Sequence, residues 1–147
     1  MKPAIKTIDL ELTRTIPASP DAVFDAWLDP RCPGTPWSMA TKLILDSKVD
    51  GLYYWLFIND AGEEKPHYGR FTVVDRPSKV QYTWVSPHTR GLESLVTVTF
   101  QKRDEDTILT LRHENLPDDE FGLGHEQGWG NLLSQFGERF QSECDQP

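Results

Sequence analysis

Gly128-Trp129-Gly130-Asn131-Leu132-Leu133-Ser134-Gln135-Phe136-Gly137-Glu138-Arg139-Phe140 is the stretch that decides the fold. Trp129, Leu132, Leu133, Phe136 and Phe140 recur at i, i+3, i+4, i+7 and i+11, which aligns them on one stripe of an α-helix. Asn131, Gln135, Glu138 and Arg139 take the other side. Almost everything upstream reads as strand and turn. One long C-terminal helix must therefore face a sheet, and its apolar stripe must cover that sheet.

Moving outward from the helix, Asp118, Asp119 and Glu120 suit its positive N-terminal end and read as caps. Before them, strands are predicted at 107–113 and 92–102, joined by the polar turn 103–106. Further strands fall at 80–85, 67–75, 52–58 and 41–49, separated by turns at Ser86–Gly91, Arg76-Pro77-Ser78, Asn59-Asp60-Ala61-Gly62 and Asp50-Gly51. At the start, Ile8, Leu10, Leu12 and Ile16 alternate with polar residues in a first half-buried strand. Ser19-Pro20-Asp21 opens a short helix with Val23, Phe24, Trp27 and Leu28 on its buried face, which stops at Asp29-Pro30. Residues 31–37, with Pro33, Gly34 and Pro36, form at most a broken second helix or a loop, with Trp37 turned inward. The short turns predict antiparallel neighbours. The expected architecture is one α+β domain over residues 1–147: a curved seven-stranded antiparallel sheet around a long C-terminal helix, with a short helical region after strand 1.

Composition narrows the partners. The 147 residues carry 15 Lys and Arg against 23 Asp and Glu, a net charge of −8. That balance argues against a nucleic acid, whose binding depends on basic residues replacing counterions. No run approaches the ~18 apolar residues of a membrane helix, so no membrane insertion is expected. Met1-Lys2-Pro3-Ala4-Ile5-Lys6 contains no apolar leader, which predicts a cytoplasmic location. Cys32 and Cys144 match no metal or redox spacing and are read as free thiols in a reducing compartment. A homodimer is compatible with the sequence.

The geometry predicts a hollow. Seven strands at about 4.8 Å spacing span roughly 29 Å, whereas one helix with its side chains is about 10–12 Å across. The sheet must curl round the helix, and large side chains or a ligand must fill what remains. Tyr53, Trp55 and Phe57 share a face of one strand, and Tyr82 and Trp84 share a face of another. Val96, Val98 and Phe100 continue that face, as do Leu109, Leu111 and His113. One reading has these rings simply filling a core. The other is an aromatic-lined pocket for a small hydrophobic or amphipathic molecule. Its expected lining is Tyr53, Trp55, Phe57, Tyr82, Trp84, Val98, Leu111, His113, Trp129, Leu133 and Phe136.

Arg14-Thr15-Ile16-Pro17-Ala18-Ser19-Pro20-Asp21-Ala22-Val23-Phe24-Asp25-Ala26-Trp27 resembles the first strand and helix of the START-like, SRPBCC superfamily. Gly51-x-Tyr53-x-Trp55, Tyr82-Thr83-Trp84, Val96-Thr97-Val98-Thr99-Phe100, Thr110-Leu111-Arg112-His113 and the His125-Glu126-Gln127-Gly128-Trp129 helix head are similar to the branch named for the C-terminal domain of the activator of Hsp90 ATPase. The resemblance implies a helix-grip (START-like, Bet v 1-like) fold with a hydrophobic ligand cavity between sheet and helix. It does not imply one activity, since relatives include lipid carriers, hormone receptors, polyketide cyclases and stand-alone domains. The co-chaperones carry a further N-terminal domain that this sequence does not supply.

Catalytic chemistry is sparse. None of His67, His88, His113 and His125 forms a metal motif, so neither metal nor cofactor is expected. His113 alone is read as having the strand parity to point inward, and it is the one side chain considered for catalysis, as a base beside a Tyr hydroxyl. His125 reads as packing near the helix start. Gly128, Gly130 and Gly137 each cost about 1 kcal/mol of helix propensity relative to Ala. Either close approach to the sheet or room for a ligand beside Trp129 explains them. The reading preferred is a binding domain. The alternatives are a cyclase- or hydrolase-like enzyme using the same cavity, and a stress-response or co-chaperone-like interaction module.

Overall fold

The computed structural model describes residues 6–140. β1 (Thr7–Ile16) leads into α1 (Pro20–Trp27), whose first turn is capped by the Ser19 hydroxyl accepting from the Ala22 N–H. Then follow β2 (Lys42–Leu45), β3 (Leu52–Ile58), β4 (Glu64–Asp75), β5 (Lys79–Trp84), β6 (Ser94–Arg103), β7 (Asp106–Pro117) and α2 (Glu120–Arg139). The strands form one antiparallel sheet in the order β1-β7-β6-β5-β4-β3-β2. β7 returns to pair with β1, so the chain's first strand becomes an edge beside its last. α2 lies chiefly against β1 and β7. This is the helix-grip architecture, with seven strands as expected.

The register explains why the rings meet. Tyr82 lies opposite Val96, Val96 opposite His113, and Val98 opposite Leu111. In a pleated sheet directly opposed residues share a face, so this row presents one continuous inner surface. Breaks of register between Ile8 and Leu10 and between Phe71 and Val73 interrupt the ladder. Such irregularities increase local twist and bend the strands they interrupt. Tyr53 is opposed by Gly69, where a Cβ would fall 2.7 Å from the Tyr53 ring and 2.0 Å from the Thr83 carbonyl oxygen. The missing side chain lets the Tyr53 hydroxyl donate to that carbonyl at 2.6 Å.

Several details depart from expectation. β2 ends at Leu45 rather than at residue 49, because the chain turns through Lys48 and reaches positive φ at Asp50. Residues 31–37 are a loop closing in a 3-10 turn at Pro36–Met39. Trp37 does point inward, and its indole donates to the Trp27 carbonyl at 2.7 Å. Gly34, at φ +89, lets this loop press on α2: a Cβ there would lie 2.3 Å from the Phe136 amide nitrogen. Cys32 is disulfide-bonded, which overturns its reading as a free thiol. Cys144 lies outside the described residues. The cysteines therefore give no support to a reducing compartment. No helix of the described residues is long and apolar enough to cross a membrane.

Candidate functional site: the cleft beside Trp129

Among the residues expected to line a pocket, Tyr53, Trp55, Tyr82, Trp84, Val98, Leu111, His113, Trp129, Leu133 and Phe136 are all buried, and Phe57 is partly buried against them. They meet one another closely. Trp84 is the hub, with ring centroids 5.2 Å from Trp129, 5.8 Å from Trp55, 5.2 Å from His67 and 5.7 Å from His113. Trp27 stacks on Trp129 at 6.2 Å and meets Phe136 edge-on at 5.3 Å. The rings themselves thus occupy much of the space between sheet and helix, as the core-filling reading holds.

Open space appears at the margin of this cluster. A cleft of about 340 Å³ runs between α2 and the Pro36–Met39 turn. Met39, His125, Gly128, Trp129, Asn131, Leu132 and Gln135 line it. A neighbouring hollow of about 330 Å³, bounded by His88, Glu120, Phe121 and Gly124, shares His125 and Gly128 with it. A Cβ on Gly124 or Gly128 would meet nothing within 4 Å. Close approach to the sheet therefore does not explain Gly128, while Gly130 and Gly137 would make only ordinary contacts, at 3.8 and 3.6 Å. A hollow of about 380 Å³ lies elsewhere, between Ser19-Pro20-Asp21, Pro77-Ser78 and Lys102 to Glu105. Charged and polar side chains dominate its rim. The cleft beside Trp129 has the apolar wall a small organic ligand needs.

The chain's four histidines gather near this cleft. The Trp129 indole donates to His113 Nδ1 at 2.9 Å. The hydrogen of His113 must then sit on Nε2, which donates to Ser94 Oγ at 2.8 Å, and Ser94 donates onward to the Trp84 carbonyl. Burial, with His125 adding to it, holds His113 well below the usual imidazole range. Both ring nitrogens are engaged by protein partners, and among the described residues no tyrosine hydroxyl hydrogen-bonds to it. A base needs a free lone pair, so this geometry favours a structural role for His113.

His67 also points inward, correcting the expectation that His113 alone does so. It lies opposite Trp55 in the ladder and stacks on that indole at 3.7 Å. It shares the strand parity of buried Phe71, four residues on, and the register break between Phe71 and Val73 ends that alternation. Burial pushes its pKa down to about 4. His67 Nδ1 donates to the Lys65 carbonyl and His125 Nδ1 to the Phe121 carbonyl, leaving Nε2 of each as an acceptor. His125 meets His113 edge-on at 5.1 Å, and burial lowers its pKa too. Among the described residues no three His, Cys, Asp or Glu side chains are grouped to hold a metal ion.

Among the described residues, four buried side-chain polar atoms have no hydrogen-bond partner: Trp27 Nε1, Trp55 Nε1, Trp84 Nε1 and Tyr82 Oη. The first and last face each other closely enough for the indole to ease the Tyr82 hydroxyl's burial, which otherwise raises its pKa, yet they do not meet in hydrogen-bond geometry. Each such group costs about 1–3 kcal/mol when left unsatisfied. Met39 and the cleft side of His125 were not marked in the sequence; Leu132 was read on the helix stripe but not as pocket lining, and Gly128 was left between close approach and room for a ligand. Met39 sits in a turn with no periodicity, and open space beside a glycine leaves no trace in the residue order.

Comparisons with known proteins agree with this frame. A solved protein from Chromobacterium violaceum superposes with TM-score 0.79 at 23% identity, covering 92% of this chain and 98% of its own. One from Rhizobium loti gives 0.75 at 21%, covering 92% and 98%. A Staphylococcus aureus protein of unknown function gives 0.80 at 14%, covering 97% and 98%. At these identities the likeness shows the fold alone. No curated protein matches the sequence. The family model for "Activator of Hsp90 ATPase homolog 1-like protein" matches residues 17–141, a span that holds α1, β2 to β7 and α2, and the chain belongs to this family.

Proposed function

We propose that this chain binds a small apolar or amphipathic molecule in the cleft between α2 and the Pro36–Met39 turn, against the face of Trp129. The observation that carries the reading is the apolar wall formed by Met39, Trp129 and Leu132 over a glycine floor, with about 340 Å³ of space. That volume lies at the lower end of small-molecule sites. The polar groups at its rim, His125, Asn131 and Gln135, are few and can orient a ligand without dominating its binding. The aromatic residues behind Trp129 would extend the site inward. Catalysis by His113 is not part of this reading, because its ring nitrogens are engaged by Trp129 and Ser94.

Native mass spectrometry of the purified chain, followed by a thermal-shift screen of lipids and aromatic metabolites, tests it. A ligand at 100 times its Kd stabilises by about 2.7 kcal/mol, a readily measured shift. Gly128→Leu, which fills the cleft from the helix side, is expected to abolish that shift. A screen in which no compound raises the melting temperature, or a shift that survives Gly128→Leu, counts against the cleft.

A second reading has one observation in its favour. On the outer face of the sheet, Ile44, Tyr54 and Tyr68 stand directly opposite one another across β2, β3 and β4. Ile44, Tyr68 and nearby Leu52 are exposed. A contiguous apolar surface of this kind suits a protein partner, and the family's name points to Hsp90. Adding the chain to Hsp90 and measuring its ATPase rate separates the two. A rate change lost in Ile44→Ser would favour the partner reading.

A further inference from the structure

Exposed apolar side chains gather at one end of the sheet. Among the described residues, Met39, Ile44, Val49, Leu52, Ile58 and Tyr68 all lie on β2, β3, β4 or the turns beside them. β2 is the last strand on that side, so its outer backbone has no strand beside it. Ile44, at its middle, is 64% exposed. Proteins normally blunt such an edge with charge or cover it. The opposite edge is treated that way: β1 carries Asp9 and Glu11, both bridged to Arg112, and α2 lies against it. β2 carries only Lys42 and, just past its end, Asp46.

The ladder fixes which backbone groups the open edge presents. The Asp46 N–H donates to the Leu52 carbonyl, and Ile44 and Lys42 lie opposite Tyr54 and Leu56. In an antiparallel pair, alternate residues turn both backbone groups toward the same neighbour. Lys42, Ile44 and Asp46 therefore face β3, while Leu43 and Leu45 turn their N–H and C=O groups to the open side. The Thr41 N–H is already taken by the Leu56 carbonyl.

We propose that this edge pairs with a second copy of the chain, β2 running antiparallel to β2 about a two-fold axis at Ile44. In such a contact every pair of facing residues occurs twice. An axis at Ile44 sets Leu43 opposite the partner's Leu45, so each free N–H meets a free C=O. It also sets Lys42 opposite the partner's Asp46. These are non-hydrogen-bonded positions, where facing side chains come closest. The present partner of Asp46, Lys48, stands 3.8 Å away, and both side chains are exposed. Other registers fit worse. An axis at Leu43 turns Leu45 toward Thr41, whose N–H is spent, and one at Leu45 sets Lys42 against the partner's Lys48. At the chosen axis the two Ile44 side chains meet, joining the rows of Ile44, Tyr54 and Tyr68 on the two outer faces into one. The pairing is short, which places the dimer in the weak class that buries under about 1,200 Å².

Sedimentation equilibrium of the purified chain, from micromolar toward millimolar concentration, tests this. The wild-type mass is expected to rise from one copy toward two. Lys42→Glu and Asp46→Lys each set like charges opposite one another at both ends of the pairing. Each variant by itself is expected to weaken the dimer about tenfold or more. Mixed in equal amounts, the two variants again face opposite charges at both ends, and the mixture is expected to dimerise within about threefold of wild type. Both side chains are exposed, so the swaps leave the core alone. A wild-type chain that stays monomeric throughout overturns the inference. A dimer indifferent to the single changes overturns it too, as does a mixture no tighter than its components. Mass gained only when Hsp90 is added gives the edge to that partner and overturns it likewise. Ligand binding in the cleft stands or falls separately, by its own screen.

Discussion

Along the second half of α2, Leu133, Phe136 and Phe140 are buried, and Phe136 has ring neighbours in both Trp27 and Phe140. Gly34 presses its backbone against the helix from the other side. Along the first half, Gly124 and Gly128 look into open space, Leu123 is exposed, and two hollows flank His125. One helix therefore does two jobs. Its C-terminal half closes the core in the way interiors normally close, by dense interdigitation. Its N-terminal half leaves a boundary that the chain's own side chains do not complete.

The largest effects should fall on the closed half. Phe136→Ala removes a ring wedged between Trp27 and Phe140 and is expected to cost about 3–5 kcal/mol, read from urea unfolding. If it costs under about 1 kcal/mol, the two halves do not differ as described. Gly34→Ala demands a positive φ of an alanine and drives its Cβ into the Phe136 backbone. A loss of about 3 kcal/mol is expected, combining strain and overpacking. Wild-type stability in this variant would mean the loop does not press on α2.

Acid should act on the histidine end next. His67 is held neutral in the fold, with its pKa lowered to about 4 from an ordinary 6.5. Between those values the unfolded chain binds more protons than the folded one, so stability rises with pH in that window. The contribution is whole above pH 6.5 and fades as pH falls toward 4. Its slope is about 1.4 kcal/mol per pH unit for such a group, and the lowered pKa values of His113 and His125 act in the same direction. His67→Phe should flatten the slope of unfolding free energy against pH, read from urea unfolding, by about that amount. Parallel slopes for variant and wild type would show that His67 is not kept neutral.

The smallest effects sharpen the contrast most. Gly124→Ala and Gly128→Ala place a methyl group in open space and improve helix propensity, so each should stabilise the free chain by about 0.5–1 kcal/mol. Gly128→Ala should also weaken any ligand in the cleft. Stability rising while binding falls would mark that glycine as kept for function rather than for folding. Destabilisation by either change would place something against the helix that the structure does not show.

These contrasts explain what could be read from the residue order. The inward stripe of Trp129, Leu133 and Phe136 was legible because helical periodicity maps directly onto burial. The faces of Tyr53 and Trp55, and of Tyr82 and Trp84, were legible through strand alternation. Leu132 belonged to the same stripe, yet it lies half-buried at the cleft, since periodicity gives direction and not what stands opposite. His67 was missed because the alternation it shares with Phe71 breaks after Phe71, so the burial of β4 does not follow one parity along its length. The reason for Gly128 was divided between crowding and room, and only a three-dimensional neighbourhood could decide between them. Cys32 was misread because its bonding leaves no mark in local spacing.

All five tryptophans, Trp27, Trp37, Trp55, Trp84 and Trp129, are buried in this fold. Four of them form a connected chain of rings, from Trp27 through Trp129 and Trp84 to Trp55. The protein thus carries its own optical gauge. Excitation absorbed by one indole can migrate along that array, so a quencher beside any one of them should dim the whole set. The near-ultraviolet circular dichroism of such coupled chromophores should be intense and should change shape when Trp129 alone changes its orientation, before any label has been attached.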